Sequence, residues 1–474
     1  MRRPGRLPSI IQGGMGVGVS GWRLARAVAS TGQLGVVSGV GLDTLMARRL
    51  QLGDPGGHVR RALENFPFPL VAERVIERYY VEGGIEGNAT FRLVPKVTLT
   101  PGRPGVELAV AANFVEVFLA KQGHGGPVGV NYMEKLQAAT PAALYGAMLG
   151  GVDYVLMGAG IPAEVPALID AFAAGLPGEL TIDVLGAGGT PTRLLFDPAT
   201  VAGSRPQLGR PQFMAIVSSN MLAGYLARER RTRPEGFVVE GHIAGGHSAK
   251  PRGPLAVDSS GQPTYGPRDE VELAKMAALG LPFWLAGGYA SPRSLSAAMR
   301  SGAAGIQVGS AFALCEESNL DPALRRAVLE RALAGTLQVR ADLRASPTGF
   351  PFKVVDAPTT LSDKDVAEGR ARVCDLGYLR SPYRKPNGRV GYRCPSEPVN
   401  DYLRKGGQLE DTVGRLCLCN GLIATIGLGQ RRDDGTAEAP VVTLGQDLSF
   451  LPALMRRRSP YTARDVVEYL LEGD

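Results

Sequence analysis

The chain lacks the features that mark a secreted or membrane-spanning protein. Five cysteines among 474 residues are too few for a disulfide framework. No run of about 18 uninterrupted apolar residues occurs, so no transmembrane helix is expected. The basic start at 1–6 leads into a short strand-like stretch instead of the apolar core of a signal peptide. A cytoplasmic, membrane-free protein is the expectation. Aromatic residues make up only 6% of the chain, and none is interleaved in the densest basic clusters, Arg228-Glu229-Arg230-Arg231 and Arg456-Arg457-Arg458. That argues against a nucleic-acid platform. The net charge of +7 is scattered, as on a solvated surface or one that attracts phosphate-bearing ligands.

What is abundant is glycine, at 63, and proline, at 35, without periodicity, between short β-branched runs and alanine-rich helical stretches. This alternation reads as an α/β fold with parallel strands. Candidate strands lie at 9–12, 34–38, 128–131, 154–157, 180–185, 213–217, 237–240, 283–286 and 305–308. Helix signals follow at 22–31, 162–174, 220–229, 270–279 and 291–302. Nine strands compete for the eight places of a (β/α)8 TIM barrel. Because 213–217, a helix and 237–240 form an uninterrupted βαβ unit, the segment near 180–185 is the expected insertion. The stretch 53–126 is too long for one crossover and reads as an elaboration packed over a barrel end. After about Leu320 the alternation stops, which divides the chain into a barrel at 1–320 and a C-terminal extension at 321–474.

Two late strand ends carry matching glycines, Leu285-Ala286-Gly287-Gly288-Tyr289 and Gln307-Val308-Gly309-Ser310-Ala311. Glycine lets backbone approach a ligand closely, and barrels bind phosphate between the loops after strands seven and eight. A competing signal is Gly16-Val17-Gly18-Val19-Ser20-Gly21, a literal G-x-G-x-x-G of the kind that binds a nicotinamide dinucleotide. Three observations weigh against it. The pattern begins four residues past Gln12, the second strand ends in Ser38-Gly39 where an acid for the ribose is wanted, and Asp43 is better placed to cap a helix.

Of the four histidines, His247 follows the 237–240 strand through Gly241-His242-Ile243-Ala244-Gly245-Gly246. Catalytic groups of barrels come from such strand ends, and imidazole moves protons near neutral pH. The alternative is a loop histidine satisfied by backbone. His242 is a weaker candidate, while His58 and His124 read as structural or exposed. No H-x-x-x-H or H-E-x-x-H spacing supports a histidine metal site. Cys374, Cys394, Cys417 and Cys419 lack paired C-x-x-C spacing, so reduced structural thiols are favoured over a metal site.

Val239-Glu240-Gly241-His242-Ile243-Ala244-Gly245-Gly246-His247, Phe283-Trp284-Leu285-Ala286-Gly287-Gly288 and Gly305-Ile306-Gln307-Val308-Gly309-Ser310 resemble blocks of the nitronate monooxygenases, formerly 2-nitropropane dioxygenases. That superfamily includes flavin-dependent enoyl-acyl-carrier-protein reductases and the trans-acting enoyl reductases of polyunsaturated fatty-acid and polyketide synthases. Ile11-Gln12-Gly13-Gly14-Met15 and Gly129-Val130-Asn131 match as well, and the resemblance spans about 7–320. It implies FMN in the barrel mouth. Gly14 and Met15 would lie near the isoalloxazine, Asn131 would hydrogen-bond it, and Glu240 would sit at its ribityl or ring edge. Gly245 and Gly246 would pass beneath the flavin, and Gly287, Gly288, Gly309 and Ser310 would take its phosphate. His247 resembles the family's active-site histidine.

This chain departs from the family in having Gly13-Gly14 where Ala-Pro is usual, in the long elaboration and in the added C-terminal region. Within that region, 345–353 resembles a segment that folds back toward the flavin, and its phenylalanines would make a wall or a core. The implied activity is oxidation of a nitronate or related small molecule with oxygen. The alternative is an enoyl-thioester reductase that uses NAD(P)H and a carrier-linked substrate, and a third reading is a non-catalytic member of a biosynthetic complex. Expected partners are a small-molecule or acyl-thioester substrate, an acyl carrier protein or a second copy of the chain in a homodimer. No nucleic acid is expected among them.

Overall fold

The computed structural model of the chain describes residues 7–472 apart from 88, 190, 204, 205 and 433; the basic start at 1–6 lies outside them. The chain opens with strand β1 (Ile10–Gln12) and continues through β2 (Gly35–Ser38), β3 (Val128–Met133), β4 (Tyr154–Gly158), β5 (Gln212–Val217), β6 (Gly236–Glu240), β7 (Phe283–Ala286) and β8 (Gly305–Val308). These eight pair in parallel in the order β1-β8-β7-β6-β5-β4-β3-β2. Leu34 closes the ring: Gln12 N donates to its carbonyl at 2.9 Å, and its own amide donates to Ile10 O at 3.1 Å. The result is a (β/α)8 barrel.

Strand side chains alternate between two environments, as the two-residue period of a strand requires. Ile11, Val36, Leu156, Met214, Val238 and Trp284 form one buried cluster, the filling of the barrel. Ile10, Val37, Val155, Ala215, Phe237, Phe283 and Ile306, each one position along, join the larger cluster beneath the helices. The Trp284 indole N–H, buried within the barrel, donates to Pro8 O at 2.8 Å and so meets no desolvation penalty.

The ninth candidate strand stands apart from the barrel. Gly178–Ile182 pairs antiparallel with Thr192–Phe196 as a separate hairpin, the insertion anticipated near 180–185. Of the 53–126 elaboration, the helices His58–Glu64, Pro69–Tyr79 and Arg103–Lys121 join the outer helical layer. Glu116, buried in the last of these, accepts from Trp22 N at 2.8 Å and from Arg49 at 2.9 Å, which pins that helix to its neighbours. Coil 80–102 instead crosses to the C-terminal region, where Arg380 donates to Val97 O at 3.0 Å and Leu99 N donates to Tyr392 OH at 2.7 Å. Asp43 does not cap its helix. Gly41 holds the N-cap position, and the Asp43 carboxylate, two residues further in, accepts from Tyr378 OH.

Beyond β8, helix Pro322–Leu333 leads to two antiparallel pairs, Val339–Asp342 with Phe352–Val355 and Ser381–Arg384 with Val390–Arg393. The closing helix Ala463–Leu471 packs on helices Trp22–Ala29 and Pro292–Arg300. Val442, Leu444, Phe450, Val466 and Leu470 enter the barrel's outer cluster, whereas Phe352, Val354, Leu418 and Val441 make a smaller one. No helix among the described residues is long and apolar enough to cross a membrane.

Helix-to-strand packing is closest at Gly35, where an added Cβ would lie 1.9 Å from the backbone oxygen of Ala25. Gly35→Ala is expected to cost about 1–3 kcal/mol, the usual range for overpacking. A urea unfolding midpoint equal to that of the wild type would refute this account of the β2 contact.

Candidate active site

A cavity of about 550 Å³ opens at the C-terminal end of the barrel. Barrel enzymes place their chemistry there. Every site residue read from the sequence lines it: Gly14 and Met15 after β1, Asn131 on β3, Glu240 ending β6, Gly245, Gly246 and His247 in the next loop, Gly287 and Gly288 after β7, and Gly309 and Ser310 after β8. The G-x-G-x-x-G segment at 16–21 is the loop after β1, of which Gly16 and Val17 line the cavity, rather than the turn of a dinucleotide-binding βαβ unit.

Gly14 is set by close approach, since an added Cβ would lie 2.4 Å from the Asn131 Cβ. Asn131 Nδ2 donates to Gly14 O at 3.1 Å, while its Oδ1, like Oε1 of Gln307, is buried at the cavity wall without a partner. Buried polar atoms are nearly always satisfied, so two such acceptors in one cavity call for a donor. Gly287 and Gly288 turn the chain after β7 with φ of 91° and 77°. The Asp447 carboxylate stands 3.8 Å from where a Gly288 Cβ would be, whereas a Cβ at Gly309 would meet only Met15, at 3.5 Å. The side of this cradle open to an anion is therefore at Gly309 and Ser310.

The His247 loop is held by the C-terminal region as a strand would hold it. Lys353 N donates to Gly246 O at 2.8 Å, Ser248 N donates to Pro351 O at 3.0 Å, and Gly246 N donates to Thr443 Oγ1 at 2.9 Å. His247 Nε2 lies 2.7 Å from Ser346 Oγ, which in turn lies 2.8 Å from Thr348 Oγ1. The edge of Phe352 packs on the imidazole, with ring centroids 4.9 Å apart. Burial, aided by the charge of Lys135, brings the His247 pKa down to about 4. The ring is neutral at pH 7 and can accept a proton.

Beside it, Lys353 is fully buried, and its ammonium donates to His242 O at 2.7 Å. Burial pushes the Glu240 carboxyl up to about 7 against the pull of Lys353, and burial lowers Lys353 to about 8 against the pull of Glu240. Each thus limits the other's desolvation penalty. His242 stacks on Tyr265 at 4.2 Å, and Phe350 lines the cavity with Lys135 Nζ 4.4 Å from its ring centre. His58 rests on Trp22, and His124 bonds to Ala120 O and Gly126 N, so both serve the scaffold. All five cysteines are free, and among the described residues no three His, Cys, Asp or Glu side chains gather as metal ligands.

Residues 168–347 match the model of the nitronate monooxygenase family. The match is to this segment of the chain. It contains β5 to β8 and with them the His247 loop and both glycine pairs. A probable nitronate monooxygenase of Bacillus subtilis is 38% identical over 99 residues, 21% of this chain and 27% of that protein. The (3aS,4S,5R,7aS)-5-hydroxy-7a-methyl-1-oxo-octahydro-1H-indene-4-carboxyl-CoA dehydrogenase of Mycobacterium tuberculosis is 31% identical over 223 residues, 46% of this chain and 55% of that one. The chain thus spans from about a quarter to about half the length of these curated relatives. A nitroalkane oxidase structure from Streptomyces ansochromogenes aligns with 98% of this chain and 94% of its own, at 14% identity and a TM-score of 0.47.

Reading the sequence missed Lys353, Ser346 and Thr443. A lysine inside the apolar run Phe352-Lys353-Val354-Val355 was the available signal, since a buried lysine needs a partner. Ser346 and Thr443 carry no local signal, because each acts on a loop about 100 to 200 residues away.

The depressed His247 pKa links folding to pH. The unfolded imidazole takes up its proton near 6.5 and the folded one only near 4, so its contribution to stability is complete above 6.5 and lost as pH falls toward 4. His247→Gln is therefore expected to flatten the fall of the urea midpoint between pH 6.5 and 4. An unchanged slope would show that His247 is not held neutral by the fold.

Proposed function

We propose that the chain is an FMN-dependent oxidoreductase of the nitronate monooxygenase type, which oxidises a nitronate or related small molecule with oxygen. The observation that carries this reading is the neutral His247 imidazole, held by Ser346 at the wall of a 550 Å³ cavity. That volume lies within the range of cofactor sites. FMN fits the residues present. Its ring N–H and ribityl hydroxyls would offer donors to Asn131 Oδ1 and Gln307 Oε1, and the cradle of Gly287, Gly288, Gly309 and Ser310 would hold its phosphate on the Gly309–Ser310 side, away from Asp447. When bound, FMN supplies two-electron redox chemistry.

The chain's own residues do the rest. Gly14, Met15, Gly245 and Gly246 offer backbone to a flat ring, and Glu240, with Lys353 behind it, keeps a carboxyl at the cavity wall that titrates near neutrality. His247 takes or steers the substrate's proton through the ring nitrogen not bonded to Ser346, which fixes the imidazole's orientation. Phe350 and Phe352 exclude water from one side.

A second reading, reduction of an enoyl thioester with NAD(P)H, draws support from the Mycobacterium tuberculosis relative, whose name places its substrate on CoA. Anaerobic mixing separates the two. Bleaching of the flavin band by an alkyl nitronate alone is expected, and bleaching by NADH or NADPH alone would transfer the assignment to the reductase.

His247→Ala is expected to keep FMN and to lower turnover by about 10²–10⁴, the range for a lost acid–base group. Unchanged turnover would remove His247 from the mechanism. Gly309→Leu, at a position with room in the fold, is expected to release FMN. Full flavin absorbance per chain in the purified variant would sink the phosphate assignment.

A further inference from the structure

Next to the main cavity lies a smaller one of about 70 Å³, between helix Arg103–Lys121, coil 95–102 and the turn after β3. The two share a wall of Val40, Tyr132, Met133, Leu136 and Tyr378. Val97, Val106, Ala109 and Ala142 line the far side. Its polar groups are already engaged. Tyr132 OH lies 2.9 Å from both Asn113 Oδ1 and Ala143 O and shares its one proton between them; Tyr378 OH donates to the Asp43 carboxylate; and Lys96 Nζ donates to Cys374 O at 2.7 Å. A mostly apolar space whose buried polar side chains are bonded within the protein favours hydrocarbon.

We propose that this slot seats the alkyl chain of the substrate, with the reacting carbon in the main cavity facing His247. The inference rests on the oxidoreductase reading above and narrows it to substrates with an unbranched apolar chain on the reacting carbon. A cavity of 150 Å³ takes a benzene ring, so 70 Å³ holds on the order of three carbons. Beside the segments after β2 and β3, two parts of the chain outside the β/α alternation contribute to the wall, the 53–126 elaboration and, through Tyr378, the C-terminal region. These same parts would then set chain length.

The test is anaerobic calorimetric titration of the FMN-loaded protein with straight-chain primary alkyl nitronates of two to eight carbons and, in parallel, with acyl thioesters of N-acetylcysteamine of the same lengths. Affinity is expected to rise about four-fold per methylene over roughly three carbons and then level off. Ala109→Phe, which fills the slot from helix Arg103–Lys121, is expected to abolish that rise. Leu136→Ala, which deepens it, is expected to extend the rise to longer chains, and either variant suffices if the other fails to fold. Affinity independent of chain length in the wild type, or an unaltered rise in the folded variants, would overturn the slot. The series that shows the rise identifies the head group. A rise in the nitronate series without anaerobic bleaching of the flavin by those nitronates would keep the slot and overturn the nitronate-oxidising reading; bleaching by them without a rise would do the reverse.

Discussion

The site depends on one contact, the docking of the Phe352–Val355 strand against the Gly245-Gly246-His247 loop. A loop with two glycines has little conformational preference of its own. Here it acquires a fixed path because Lys353 N and Ser248 N tie it on both sides of His247, while Phe352 covers the ring. Thr443 and Gly445 add a second attachment, with Gly445 N donating to Ser310 Oγ at 2.8 Å. Chain more than 100 residues downstream therefore shapes the loops after both β6 and β8. A barrel alone would supply the strand ends but not their order.

The same docking sets the electrostatics. Carrying Lys353 into the interior places an ammonium beside Glu240, and the low dielectric there raises the cost of either charge without the other. His247 meets the opposite condition. Its environment offers burial and the nearby Lys135 but no carboxylate, so the neutral form wins. A titratable group at the end of β6 and another in the loop that follows are thus pushed in opposite directions, a carboxyl upward and an imidazole downward. Such divergence is how one site holds both a proton donor and a proton acceptor at neutral pH.

Much of the scaffold was legible. Short β-branched runs between helical stretches marked the eight barrel strands, and the uninterrupted βαβ unit around 213–240 singled out 180–185 as the insertion. Its partner Thr192–Phe196 was missed because an edge hairpin of mixed burial has no strong pattern. Asp43 was misassigned for a related reason. A short acid near a helix start is a cap signal, but the left-handed turn at Gly41 starts the helix earlier and leaves Asp43 to Tyr378, 335 residues away.

By itself the sequence determined the barrel, the loop that carries the histidine, and the glycines after β7 and β8, because these follow from local period and backbone freedom, while the resemblance added Gly14, Gly245 and Gly246. Only the tertiary structure decided that Lys353 lies buried near Glu240, that Ser346 orients His247, and that coil 95–102 and Tyr378 enclose an apolar slot beside the site. Those features join segments far apart in the chain. Their energies come from burial and pairing, which no local window of sequence contains.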